Sequence, residues 1–307
     1  MSNTAPLGSL QVSRLSLGGN VFGWTADADT SVQILDAYLA GGGNFVDTAD
    51  LYAGGQSETI IGDWVASRGN RDDVVIASKV GHQRNAVHQG LAPATIRAAT
   101  DESLRRLRTD HIDLLYTHMD DESVEVGEII TTLDELVQAG KVREIGASNI
   151  SPARLEASLA FSEAEGKARY VALQPHYNLV SRDTYEGELQ DVAAKWNLGV
   201  APYFALAMGF LTGKYRPGAT VDSPRADRAS QYLGTERGTR VLAALEQVAA
   251  AHGVAPASVA LAWLDSRPQV VAPIASARNL EQLQPLLAAL DLTLTAAELA
   301  ELTAASE

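Results

Sequence analysis

Residues 15–23 read Leu15-Ser16-Leu17-Gly18-Gly19-Asn20-Val21-Phe22-Gly23, and this stretch separates the two architectures open to the chain. A short apolar run ends in glycines, as the first strand of a parallel α/β protein does. An open doubly wound sheet usually carries GxGxxG at that point, with an acidic residue ending its second strand to hold a ribose hydroxyl. LSLGGNVFG does not match that fingerprint, and no Asp or Glu stands at the corresponding place in a second strand of that kind.

Outward from this stretch, short β-branched runs alternate with longer amphipathic ones to the end of the chain. The predicted strands are Leu15–Leu17, Phe45–Asp47, Val74–Lys79, Ile112–Thr117, Arg143–Ala147, Val171–Leu173, Gly199–Pro202 and Val270–Ile274. Helical spacing of apolar residues marks Thr30–Ala40, Ala94–Arg108, Val126–Ala139, Pro152–Glu163 and Arg237–Ala251 between them, and Ala296–Ala304 at the end. Ser57 and Ser151 stand where N-caps belong, and Pro152 follows at a first helical position. The strands are apolar throughout, as parallel strands covered on both faces are. Eight strand–helix units with neither linker nor internal repeat predict an α/β protein, a single (β/α)8 TIM barrel domain over residues 1–307. The segment Ala5–Ser13 predicts a short N-terminal β-hairpin whose leucines plug the barrel bottom. Residues 212–235, rich in Gly, Pro, Arg and Asp, predict a long irregular loop, either functional or disordered.

The 307 residues carry a formal charge of −14, which repels nucleic acid and anionic membranes. No apolar run approaches the roughly 18 residues that span a bilayer. The first residues lack a basic start followed by an apolar stretch, so no signal peptide is expected. The absence of cysteine excludes disulfides and thiolate chemistry and is compatible with a cytoplasmic protein.

Barrel enzymes carry their chemistry at the C-terminal ends of the strands. Those ends read Asp47 with Tyr52 just beyond, Lys79, His118, Ser148-Asn149, Gln174 and Tyr203. Each alone has a structural explanation: a turn aspartate, a snorkelling lysine, a satisfied core histidine. Together they suit carbonyl reduction. Hydride arriving at a carbonyl carbon leaves charge on oxygen that must be protonated as it forms. A tyrosine can donate that proton if a buried ammonium makes the phenol more acidic. An aspartate would keep the ammonium charged, and a histidine would orient the carbonyl oxygen.

The segments NFVDTADLYAGGQSETIIGDWV (44–65), SKVG (78–81), IDLLYTHMD (112–120), GASNIS (146–151), LQPHYNLV (173–180), APYFALAMGFLTGKY (201–215) and PIASARNLEQL (273–283) resemble the aldo-keto reductases, in order and at family spacing. The resemblance implies an NADPH-dependent oxidoreductase with Asp47, Tyr52, Lys79 and His118 as a catalytic tetrad: Tyr52 the acid, Lys79 tuning it, Asp47 supporting the lysine, His118 orienting the substrate. It further implies that Ser148, Asn149 and Gln174 hold the nicotinamide carboxamide and that Tyr203 stacks beneath the ring. Asn20, Leu206 and Lys214 would contact the rest of the dinucleotide, the lysine at the pyrophosphate. Ser276, Arg278 and Gln282 would hold the adenosine end, with Arg278 on a 2′-phosphate. Arg225 and Arg228 are either a cover over the cofactor or solvated loop charges. Three departures from the family pattern leave NADH open beside NADPH: Phe204 and Ala205 where serine and proline are usual, Ala275-Ser276 for Pro-Gly, and Leu286 where an asparagine is common.

Three other readings deserve comparison. Some relatives in this family are cofactor-binding regulatory subunits of potassium channels. A Lys79 Schiff base, as in aldolases, would need a neutral amine. A metal-dependent hydrolase would need convergent ligands, which the six histidines do not supply as an HxH pair at strand ends. The loops Val21–Trp24, Gly81–His88 and Met119-Asp120, with Phe204, are the expected walls for a small-molecule carbonyl substrate. Trp24 and Phe204 suit a ring, and His82, Gln83, Arg84 and Asn85 suit hydroxyls, so a polar, sugar-like compound is the expected partner. Oligomeric state is not legible in the sequence.

Overall fold

The computed structural model describes residues 3–85, 87–216, 221 and 226–307. β1 (Thr4–Leu7) and β2 (Leu10–Ser13) form the antiparallel hairpin. Eight parallel strands follow: β3 (Ser16–Gly18), β4 (Phe45–Asp47), β5 (Val75–Val80), β6 (Ile112–Thr117), β7 (Val142–Ser148), β8 (Tyr170–Gln174), β9 (Gly199–Val200) and β10 (Ile274–Ala275). Their order is β10-β3-β4-β5-β6-β7-β8-β9, with every registered pair parallel. Between β9 and β10 the ring is closed by single bonds: Val200 N–H to Gln269 O, Val271 N–H to Val200 O and Ile274 N–H to Pro202 O. The predicted strand Val270–Ile274 is therefore split. Pro273 has no N–H to donate, so 270–271 bridge to β9 while Ile274–Ala275 pair with β3.

Helices α1 (Ala28–Ala40), α2 (Gln56–Arg68), α3 (Pro93–Leu107), α4 (Val126–Gln138), α5 (Pro152–Glu165) and α6 (Glu188–Lys195) connect successive strands. The β9–β10 connection carries α7 (Ala226–Ser230), α8 (Glu236–His252) and α9 (Pro256–Asp265), and α10 (Leu280–Ala288) and α11 (Ala296–Ala305) finish the chain. Ser151 caps α5 as expected, accepting from Arg154 N–H. Ser57 does not cap α2: that helix starts at Gln56 after Gly55, whose φ is 90°. The Ser57 hydroxyl instead donates to Gly19 O and pairs with Thr48 Oγ1, tying α2 to the ends of β3 and β4. α7 lies within the stretch expected to be wholly irregular. α11 packs on α8 and α9 through Glu298 with His252 and through Trp263 Nε1–H to Thr303 Oγ1. Among the described residues no single helix is long and apolar enough to cross a membrane; α8 and α9 meet that test only as a pair bent by 99°.

The hairpin fills the barrel floor. Leu7, Leu10 and Val12 are buried with Phe45, Ala77, Leu114 and Tyr116, residues of β4, β5 and β6. Gly199 makes room for this plug, since a Cβ there would stand 2.3 Å from Leu7 Cδ1. Leu7→Ala is expected to cost about 2–5 kcal/mol, the usual range for emptying a packed leucine site. Leu280→Ala, at a position 41% exposed, should cost under about 0.5 kcal/mol. Urea unfolding measures both; equal losses would rule out the plug.

A buried ionic layer joins α2 to α3 beneath the rim. Glu58 is fully buried and accepts from Arg106 Nε and Ser78 Oγ. Beside it Asp50 is 4% exposed, and burial together with the Glu58 charge pushes its carboxyl up to about 7 against opposing contacts from Asn85 and Arg106. An unfolded aspartic acid titrates near 3.9. Between those values the unfolded chain has lost this proton and the folded chain retains it, so the stabilisation present below pH 4 disappears as pH rises through 7. Asp50→Asn removes that loss. Its stability relative to the parent should therefore rise by about 4 kcal/mol from pH 4 to pH 8. A difference that is flat with pH would contradict this.

Candidate active site

Lys79, in β5, is fully buried, and its three ammonium donors all find oxygen. Nζ donates to Asp47 Oδ2 at 2.7 Å, to Thr48 O at 2.7 Å and to Tyr52 OH at 3.2 Å. Asp47 ends β4, the neighbouring strand, and Tyr52 opens the tight turn that follows it. Burial pulls the Lys79 ammonium down, but Asp47 and Tyr52 outweigh it and the net shift is upward, so the lysine is charged. From across the barrel, Gln174 of β8 donates Nε2–H to Asp47 Oδ1 at 2.8 Å. His118 follows β6 with its ring 6.0 Å from that of Tyr52 and edge-on to it. Burial first, then the charge of Lys79, and then His82, holds His118 well below the usual imidazole range. It is a neutral ring, and its buried Nδ1 has no partner among the described residues. His82 stands edge-on to it at 4.8 Å, a juxtaposition that strand-end reading missed because the two lie on different loops.

Asn149 ties three strand ends together. Its Nδ2 donates to His118 O at 2.8 Å and to Ser148 Oγ at 3.0 Å, while its Oδ1 accepts from Tyr203 OH at 2.8 Å. Ser148 Oγ donates to Gln174 O at 2.8 Å. With Ser151 capping α5, neither Ser148 nor Asn149 serves as that cap. Asn149 has φ 49°, and Phe204, Ala207 and Met208 have φ 54°, 47° and 58°. Left-handed non-glycine residues gathered at one rim store strain of the kind that functional sites carry.

These groups line one cavity of about 780 Å³, which also reaches Asn20, Leu206, Lys214, Ser276, Arg278 and Gln282. Ser276 Oγ donates to Asn20 Oδ1 at 2.8 Å, and Arg278 N–H donates to Gln282 Oε1 at 3.1 Å. Gly18 permits this approach of the first and last strands, since a Cβ there would lie 2.5 Å from Ser276 Oγ. Ala255 and Ala257, at the start of α9, and Gln282, in the first turn of α10, bring two helix N-termini to the same cavity. Neither α9 contact was anticipated; the signal was Pro256, a helix-start residue far from any strand end. Thr48 was missed too, because only its backbone carbonyl acts.

Of the residues singled out from the sequence, all line the cavity except Lys79, which lies buried and bonded to Tyr52, and a few loop residues. Asn85 donates to Asp50, Asp120 is engaged by Arg154, and Phe22 is fully buried in the core, so none of these three is pocket wall. Arg228 is exposed on α7 away from the cavity lining, and Arg225 lies outside the described residues. Among the described residues no group of three or more His, Asp or Glu could hold a metal ion.

The cleft can therefore take a long ligand whose one end meets a phenol–ammonium pair and whose other end meets cations and helix N-termini. The family model for the aldo/keto reductase family matches residues 14–307. The norsolorinic acid reductase stcV of Emericella nidulans is 34% identical over 316 residues, covering 97% of this chain and 79% of that relative. Norsolorinic acid reductase B of Dothistroma septosporum is 32% identical, over 98% of this chain and 80% of its own length. Protein tas of Escherichia coli is 32% identical, over 97% of this chain and 95% of that relative. A parallel eight-stranded barrel, the polar rim on its strand ends and these matches lead to one statement: the chain belongs to the aldo/keto reductase family, a family of oxidoreductases that reduce carbonyl groups.

Proposed function

We propose that the protein reduces an aldehyde or ketone to the alcohol with NADPH, using Tyr52 as general acid. The observation that carries this reading is the buried Lys79 ammonium shared between Asp47 and Tyr52. A bound nicotinamide dinucleotide supplies the hydride. Tyr52 gives its phenolic proton to the carbonyl oxygen, and the Lys79 cation 3.2 Å away offsets the charge left on the phenol. Asp47 keeps that ammonium oriented. His118, neutral, donates an N–H to the same oxygen and fixes its direction. The Asp47–Lys79 ion pair also disfavours the neutral amine that a Schiff base would require.

For the cofactor, Ser148, Asn149 and Gln174 offer the donors and acceptors that a carboxamide needs, and Tyr203 offers a ring face. Asn20 and Leu206 would flank the chain of the dinucleotide. Lys214 and the start of α9 suit the pyrophosphate, while Ser276, Arg278 and Gln282 at the start of α10 suit a 2′-phosphate. NADPH is therefore the preferred cofactor and NADH the weaker one. The substrate in this reading is a small polar or hydroxylated carbonyl compound rather than nucleic acid or membrane, and the setting is cytoplasmic.

Tyr52→Phe should lower turnover by at least about 10²-fold while leaving NADPH affinity nearly intact, the scale expected for a lost general acid. Unchanged turnover would remove Tyr52 from the role. Arg278→Ala should weaken NADPH binding by about 1–3 kcal/mol, the range for a lost charged hydrogen bond, and NADH binding far less. Fluorescence titration with both cofactors measures this, and equal losses would show that the arginine does not read a 2′-phosphate.

A further inference from the structure

The substrate side of the cavity contains a charge that the proposed reaction leaves unused. His82, Gln83 and Arg84 follow β5 and line the cavity. Their turn is fastened to the catalytic rim. Asn85 Nδ2 donates to Asp50 Oδ2 at 2.8 Å, and Asn85 Oδ1 accepts from Val87 N–H and His88 N–H at 2.9 and 3.1 Å. Asp50 in turn donates its N–H to Lys79 O. Inside the turn, Arg84 N–H donates to His82 Nδ1 at 2.9 Å. That bond occupies Nδ1 as an acceptor and leaves the proton of the neutral ring on Nε2. Burial and then the nearby Arg84 charge keep the ring neutral. The contact of His82 with His118 brings the turn beside the point where the carbonyl would be held.

The charge balance of the cavity runs against that of the whole protein. The formal charge is −14, yet among the described residues the only acids in the lining are Asp47 and Glu281. Asp47 is taken by Lys79 and Gln174, and Glu281 belongs to α10 with Arg278. Asp121, the acid close to Gln83, is not part of the lining and accepts from Leu91 and Ser123. Arg71 pairs with Asp113 and Arg154 with Asp120, whereas Arg105, Arg169 and Arg240 make no such pair among the described residues. Among the described residues Arg84 has no carboxylate within ion-pair distance.

We propose that Arg84, with the Nε2–H of His82, forms an anion-accepting wall, so that the preferred substrate is an aldehyde or ketone bearing a carboxylate. This rests on the reductase reading and narrows its substrate class. A guanidinium matches a carboxylate with two parallel N–H donors, and Arg84 gives an acidic substrate a local cation in an otherwise repelling protein.

The test compares 4-carboxybenzaldehyde with 4-methylbenzaldehyde, and 4-oxobutanoate with butanal, on the full chain with NADPH. The acid of each pair should have a kcat/KM about tenfold higher, the effect of a partly solvated charged hydrogen bond. Arg84→Gln should abolish that preference by raising KM for the acids alone, with kcat unchanged, whereas Arg84→Lys should retain part of it. Sodium chloride should erode the preference in the parent. The proposal is overturned if the neutral aldehyde is as good as the acid, or if Arg84→Gln alters both alike or neither. Calorimetric binding of 4-(hydroxymethyl)benzoate against benzyl alcohol, with NADP⁺ present, gives a readout apart from turnover. If none of the four aldehydes is reduced, the reductase reading fails, and selective binding of the carboxylate, lost in Arg84→Gln, still decides for or against the anion wall.

Discussion

A lysine ammonium without solvent contact costs several kcal/mol unless its charge and all three protons are met, and Lys79 meets that condition at one spot only. It needs the Asp47 carboxylate, the Thr48 carbonyl and the Tyr52 oxygen at once. Asp47 and Thr48 come from the strand beside β5, so the adjacency of β4 and β5 is a precondition for a charged lysine in the core. Gln174 reaches Asp47 from β8, which makes the closed ring part of the same requirement. Barrel floor and rim are thus linked: the hairpin leucines fill the volume below the layer on which this ion pair rests.

Above the ion pair the chain leaves regular structure, and the cavity is built there. Asn149 takes a left-handed conformation that lets one amide bridge His118, Ser148 and Tyr203. Phe204, Ala207 and Met208 share that conformation. Strand ends supply rigidity, and the strained loops supply directions that a strand cannot. The electrostatics follow the same division. Acids dominate the chain as a whole, whereas among the described residues the cavity lining collects Arg84, Lys214 and Arg278 against Asp47 and Glu281.

Much of the fold was legible because a parallel strand buried on both faces has a strong local signature. Phe45–Asp47 and Ile112–Thr117 match the structure residue for residue. Failures occur where a distant partner overrules a local preference. Ser57 has the chemistry of an N-cap but spends its hydroxyl on Gly19 and Thr48. Asn85 looks like a hydroxyl-binding wall residue but is drawn to the buried Asp50. Val270–Ile274 has the composition of a strand, yet Pro273 interrupts its ladder. The rim residues themselves were readable as polar groups terminating apolar runs, a pattern that burial of the strand forces.

By itself, the sequence determined the alternation of strand and helix, the absence of a Gly-rich dinucleotide fingerprint and the identity of the polar residues at each strand end. Those properties depend on neighbours a few residues away, through backbone periodicity and burial. Tertiary structure alone decided that Lys79 has all its donors satisfied, that His82 meets His118, that α9 and α10 present their N-termini to one cavity, and that Arg84 stands without a carboxylate among the described residues. Such facts depend on distances between segments far apart in the chain, and these distances exist only once the ring of strands has closed.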